Sequence, residues 1–214
     1  MVISPFRHFL TLLVLFIGAT ALFVTRPRFT GANSGEGVDR NTASCLSNLN
    51  QISRAYAQYA RDFDGKIPYG VDPEDHYNPQ IWRFAYDGAF YDDAKNGLML
   101  HQVLRPYVPS PEVFHCPADV GWTQSRLPFA DGSALRNVKP SAYAKYGTSY
   151  LIWTRYAFLL NTASDLDDPA RTVLLFDGDM WHSNSGRELI NGLFADGHAQ
   201  NLTAQQFMAY SPRD

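Results

Sequence analysis

A chain of 214 residues, 45% hydrophobic and 14% aromatic, can fill one core of ordinary size, or a core plus a membrane segment. Its net charge of -3 and pI near 6.0, with no cluster of Lys and Arg, exclude the electrostatic footprint of a nucleic-acid-binding protein.

The first element is residues 9–24, FLTLLVLFIGATALFV, which carry no charge and lie between Arg7-His8 and Arg26-Pro27-Arg28. At about 1.5 Å per residue they span roughly 24 Å, enough to cross a bilayer only if flanking side chains extend the span by snorkelling. The alternative is a cleaved secretory signal, with Ala19-Thr20-Ala21 as the small-x-small site. Both readings export the rest of the chain. Residues 25–38 are rich in Gly and small polar residues and read as a flexible linker, so the division is 1–24 as anchor or signal, 25–38 as linker and 39–214 as head.

Residues 45–68, CLSNLNQISRAYAQYARDFDGKIP, carry the clearest periodicity. Cys45, Leu49, Ile52, Tyr56, Tyr59 and Phe63 recur at steps of four and three, so they share one helical stripe that must be covered. Asp39 or Thr42 is the candidate N-cap. Asp64-Gly65 stops the helix through a left-handed residue, and Pro68 opposes a restart. Residues 69–93 are irregular and read as a long loop pinned by aromatic side chains, among them Trp82, Phe84 and Tyr86, with room for one short strand or helix. A second, shorter helix is expected over 95–107 from the spacing of Leu98, Val103, Leu104 and Tyr107, ended by the prolines that follow.

Cys45 and Cys116 are the only cysteines. In an exported chain an even pair is most simply one disulfide, worth about 4 kcal/mol for a loop of this length in the chain-entropy model, with two buried thiols as the alternative and a two-Cys zinc site disfavoured by the lack of a C-x-x-C pair. Alternation marks strands at 148–154, 172–176 and 189–195. Ala195-Asp196-Gly197-His198 is a hairpin turn between apolar runs, and Thr203-Ala204-Gln205-Gln206 matches a capping box for a closing helix. Helix, loop and sheet in that order predict an α+β head with a small antiparallel sheet packed on the long helix.

Asp177, Asp179, His182, Asp196 and His198 are the densest run of potential metal ligands. Asp177-Gly178-Asp179 with Ser185 and Glu188 imitates part of a calcium loop, but Trp181 and His182 stand where an oxygen ligand and a glycine are needed. Asp177, Asp179 and Asp196 remain candidates for a looser calcium site, and turn and strand-end roles are the alternative. No nucleophile elbow, H-E-x-x-H pair or phosphate loop is present. Asp92-Asp93 and Asp167-Asp168 read as solvated turns, so no cofactor and no catalysis are expected. The aromatic residues of 69–91 could instead form a platform on which a sugar stacks.

Together the apolar N-terminal segment, CLSNLNQISRAYAQYARDFDGKIP, LRPYVPSPEVFHCPAD, TSYLIW, DDPARTVLLFDGD and NGLFADGHAQNL resemble the type IV pilin and type II secretion pseudopilin superfamily, in the group marked by a C-terminal His followed at a fixed interval by Asp-Gly. The resemblance implies a pilin-like fold whose hydrophobic N-terminal helix anchors the chain in the inner membrane, an extracytoplasmic head, and structural work with other pilin-like subunits as a homo- or hetero-oligomer. Two features depart from the pattern. SPFRHFLTLLVLF has neither the glycine-aromatic processing signal nor the early glutamate, and thirteen residues separate His182 from Asp196, an interval lengthened by an apparent insertion at 183–188. The departures point to an alternative, a secreted or tethered binding module on a pilin-like head that no longer assembles, periplasmic or secreted if the leader is cleaved.

Overall fold

The computed structural model of the chain describes residues 40–127, 136–160, 162–184 and 186–212. The proposed anchor and linker, and Asp39 as a cap, lie outside them. No helix among the described residues is long and apolar enough to cross a membrane.

Helix α1, Arg40–Asp62, forms where the stripe predicts. Cys45, Leu49, Ile52 and Ala55 are fully buried on one edge of it. The stripe is not covered to its end. Phe63 is 45% exposed and stacks on Tyr59 at 4.3 Å between ring centroids. Asp64 and Gly65 both take left-handed φ, 53° and 81°, and Gly65 N–H closes the end on Ala60 O at 2.6 Å. Thr42 is not a cap, because the helix begins before it and its side chain turns inward.

Residues 69–93 hold more structure than a pinned loop. They form α2, Pro73–Tyr77, then α3, Gln80–Phe84, and a turn that leads into α4, Tyr91–Asn96. The helix expected over 95–107 is broken. α4 ends at Gly97, where a Cβ would stand 2.4 Å from Asp93 O, and α5, Leu100–Val103, starts afresh after an extended Met99. Only Leu104 of the four expected positions is fully buried, while Leu98 is 60% exposed. The chain continues through short 3-10 turns to α6, Ala142–Tyr146, which ends on a left-handed Gly147.

The sheet follows. β1, Tyr150–Ile152, leads into α7, Thr154–Leu159. Then come β2, Val173–Asp177, β3, His182–Asn184, β4, Arg187–Phe194, and β5, Ala199–Thr203, before the closing helix α8, Ala204–Tyr210. All pairings are antiparallel. β2 pairs with the end of β4 and β3 with its start, for Phe176 faces Gly192 and His182 faces Leu189. β2 and β3 therefore act as one interrupted strand along one edge of β4, with β5 on the other. Of the stretch expected to be a loop insertion at 183–188, residues 183–184 belong to β3 and 187–188 to β4, with Ser183 paired to Glu188 and Asn184 to Arg187.

The sheet is covered on both faces. Tyr150, Ile152, Leu175 and Leu193 point to α1 and share a core with Cys45, Leu49, Ile52 and Phe114. Leu151, Phe176, Ile190 and Phe194 point the other way and pack with Tyr146, Trp122 and Phe207 of α8. Double coverage explains why β2, expected to alternate, is instead buried at every position from Val173 to Asp177. A satellite cluster of Val71, Trp82, Ala94, Ala157 and Phe158 fastens α2 to α4 onto α7.

The short-range signals hold. Gly197, at φ 94°, turns the β4–β5 hairpin, and Phe194 N–H donates to His198 O at 2.8 Å. Thr203 caps α8 reciprocally with Gln206, whose side chain accepts from Thr203 N–H at 2.9 Å.

Candidate functional site

The open edge of β1 creates a cleft. A strand edge needs partners for its N–H groups, and here the Asp72 carboxylate supplies one by accepting from Ile152 N–H at 2.7 Å. The same carboxylate caps α2, accepting from Glu74 N–H at 2.7 Å, while Asp72 N–H donates to Thr154 Oγ1 at 2.9 Å. Asp72 thereby ties α2 to β1 and α7, and a cleft of about 410 Å³ opens between them.

Its floor is Leu151 and Ile152, its walls include Trp82, Tyr86 and Trp153, and Glu74, Asp75, Asn78 and Arg155 bring polar groups to it. Burial pushes Asp72 well above the usual carboxylate range, helped by the neighbouring Asp75 and opposed by the two backbone N–H bonds. Burial likewise raises Asp75, against hydrogen bonding from Thr154. Tyr86 enters the wall with a left-handed φ of 51°, followed by Asp87 at 54°, a strained pair of non-glycine residues beside a cleft. Two carboxyl groups beside indole and phenol faces can exchange hydrogen bonds with hydroxyl groups while a ring of the ligand stacks.

Of the expected aromatic platform, Trp82 belongs to the wall and is 6% exposed, packed edge-on against Phe158 at 4.9 Å. Phe84 points to solvent, 84% exposed, and joins neither cleft nor core. Asp72, Asp75 and Thr154 were not singled out by their pattern. The signal for Asp72 is Asp72-Pro73-Glu74-Asp75, an N-cap with proline at the first helical position, which reads as a plain turn until the helix behind it is known.

The acidic run of 177–198 is dispersed. Asp179, buried, accepts from Arg126 N–H at 2.8 Å and Arg126 Nε at 3.2 Å, and that arginine also pairs with Glu188 and donates to Met180 O at 2.7 Å. Asp196 sits in the β4–β5 turn with His198 Nδ1 at 2.6 Å. Asp177, at the end of β2, faces His182 at 3.2 Å, both side chains fully buried. The calcium candidates Asp177, Asp179 and Asp196 thus engage three different partners and form no shared group among the described residues, because Asp177 is buried at the end of β2 beside His182 and Asp196 lies in the turn beyond β4.

Cys45 and Cys116 form a disulfide, with Cα atoms 5.0 Å apart, joining α1 to the segment between α5 and α6. Ser149 Oγ braces it, accepting from Cys116 N–H at 3.0 Å.

The chain matches no protein-family model, and neither curated proteins nor solved structures give a match. The α+β class with its small antiparallel sheet therefore rests on the chain's own geometry.

Proposed function

We propose that this chain is a pilin-like structural protein of the bacterial cell envelope. Residues 9–24 tether it to the inner membrane as a single span, the head stands outside the cytoplasm, and it contributes to, or docks on, a pilus-like or type II secretion pseudopilus filament together with other pilin-like subunits. Its work in this reading is structural and not catalytic. The observation that supports it best is helix α1, laid by Cys45, Leu49 and Ile52 on a small antiparallel sheet and bonded through Cys45 to Cys116. A single long helix packed on such a sheet, downstream of an apolar segment, is the arrangement the sequence resemblance implies.

The test is mass spectrometry of the mature N-terminus in fractionated cells, with cross-linking of the envelope. An intact apolar segment in the membrane fraction, with the head cross-linked to pilin-like subunits, is the expected result. A chain beginning near Leu22 in the soluble exported fraction, with no such cross-links, overturns it.

The cleft beside β1 favours a second reading, a tethered or secreted binding module on the same head. Its carboxyl groups and aromatic walls suit a hydroxyl-rich ring such as a sugar.

A further inference from the structure

Four potential metal ligands from three parts of the chain meet in the core. Helix α1 brings Cys45, the segment between α5 and α6 brings Cys116, and the last residue of β2 and the first of β3 are Asp177 and His182. Among the described residues, one ligand atom from each of the four lies within 4.8 Å of the others, and all four residues are buried.

The imidazole is oriented from behind. His182 Nδ1 stands 3.0 Å from Thr42 Oγ1, so its Nε2 faces Cys116 Sγ at 3.5 Å and Asp177 Oδ2 at 3.2 Å. Zinc bonds of about 2.3 Å to sulfur and about 2.0–2.2 Å to nitrogen and oxygen, set tetrahedrally, place neighbouring ligand atoms roughly 3.3–3.8 Å apart. Two edges of such a tetrahedron already have nearly that length. The hydroxyl on the far ring nitrogen is the kind of outer contact that fixes a ligating histidine's tautomer.

The disulfide alone does not account for the pair beside it. A cystine needs neither carboxylate nor imidazole, yet Asp177 is fully buried and its Oδ1 has no hydrogen-bond partner. A buried, half-satisfied carboxylate is costly unless a charge meets it. A divalent cation would be that charge.

We propose that the dithiol form of this protein binds one zinc-type divalent ion through Cys45, Cys116, His182 Nε2 and Asp177, so that disulfide and metal are alternative cross-links at one position. The steps balance. A thiol or phosphine reductant takes up the disulfide's oxidation, leaving two thiols, and the ion then displaces their two protons to form two thiolate bonds. A disulfide oxidant reverses this: it takes up the two electrons and is reduced to two thiols, the Cys45 and Cys116 sulfurs close to bonding distance, and the ion leaves. Either cross-link joins α1 to the segment between α5 and α6, so the head keeps the same tie in both redox states. The inference does not depend on the filament reading.

The experiment uses the full-length chain in detergent, reduced with a phosphine that is then removed under anaerobic conditions, and titrated with cobalt as a spectroscopic substitute for zinc. The expected result is one ion per chain, a thiolate-to-cobalt charge-transfer band that zinc removes, and no band from the oxidised chain. His182→Ala and Asp177→Asn should each weaken binding at least about tenfold. A reduced chain without the band, a band that survives replacement of both Cys45 and Cys116 by serine, or unchanged affinity in both variants overturns the proposal. Where the variants fold poorly, the unmutated protein still decides: zinc must slow alkylation of both thiols in the reduced chain, and equal rates with and without zinc overturn the site.

Discussion

Ser149 Oγ donates to Asp119 Oδ2 at 2.7 Å and accepts the Cys116 N–H, so one hydroxyl links a buried carboxylate to the backbone of the disulfide. Asp119 is the hub of this region. Its two oxygens also accept from Gly121, Ala142 and Tyr143 N–H at 2.9, 3.0 and 2.9 Å, which fixes the loop after Cys116 to the start of α6.

Asp119→Ala strands three backbone N–H groups and one hydroxyl at a residue that is 8% exposed. Each orphaned group costs about 1–3 kcal/mol and relaxation recovers part of it, so a loss of about 3 kcal/mol or more is expected in urea unfolding. A loss under about 1 kcal/mol would show that water replaces the carboxylate and that the hub carries little.

The two ends of the α1 stripe should respond differently. Leu49→Ala removes a fully buried side chain from the core beneath the sheet, for a cost of about 2–5 kcal/mol. Phe63→Ala, on the exposed last turn, should cost less than about 1 kcal/mol. Similar losses at both sites in thermal or denaturant unfolding would mean that the stripe is covered along its whole length.

Burial pushes the His101 imidazole down to about 4, and its Nδ1 lacks a hydrogen-bond partner. Its unfolded value is about 6.5, so between these limits the unfolded chain binds the proton that the folded chain refuses. Stability therefore falls as pH drops from about 6.5 towards about 4 and is unaffected by this group outside that window. His101→Leu should flatten that slope, read as the difference between wild-type and variant urea midpoints at about pH 7 and about pH 5. A constant difference would contradict the assignment.

The disulfide has a direct readout. The intact chain, unfolded and alkylated without reductant, should keep its mass, and after reduction it should take one label on each of Cys45 and Cys116. Labelling without reduction would show free thiols in the mature protein.

The cleft can be tested against its structural role. Asp75→Asn keeps the size of the side chain and removes its titration, so the fold should survive while any soluble oligosaccharide that quenches tryptophan fluorescence in the unmutated chain binds measurably less well. If a panel of oligosaccharides leaves the fluorescence of the unmutated chain unchanged, the sugar-binding reading fails.

Legibility in the sequence followed range. Cys45, Leu49 and Ile52 announce their face because helical spacing is set by neighbours three and four residues away, and Gly65, Gly197 and the Thr203–Gln206 box encode their turns within four residues. The break at Gly97 was hidden because Leu98, Val103 and Leu104 keep partial helical spacing across it, and only the close packing on Asp93 O excludes a side chain there. β3 was hidden because His182, Ser183 and Asn184 are polar, and their strand state comes from pairing with Arg187–Leu189, not from their own propensity.

What the sequence determined by itself was α1 and its stop, the β4–β5 turn, the cap of α8 and the α+β class, all products of short-range sterics and periodic burial. The tertiary structure decided which groups meet. Thr42 and His182, 140 residues apart, and Asp72 and Ile152, 80 apart, become hydrogen-bond neighbours only because a helix and a sheet edge are brought together by apolar burial elsewhere, and no local pattern records where such distant segments will touch.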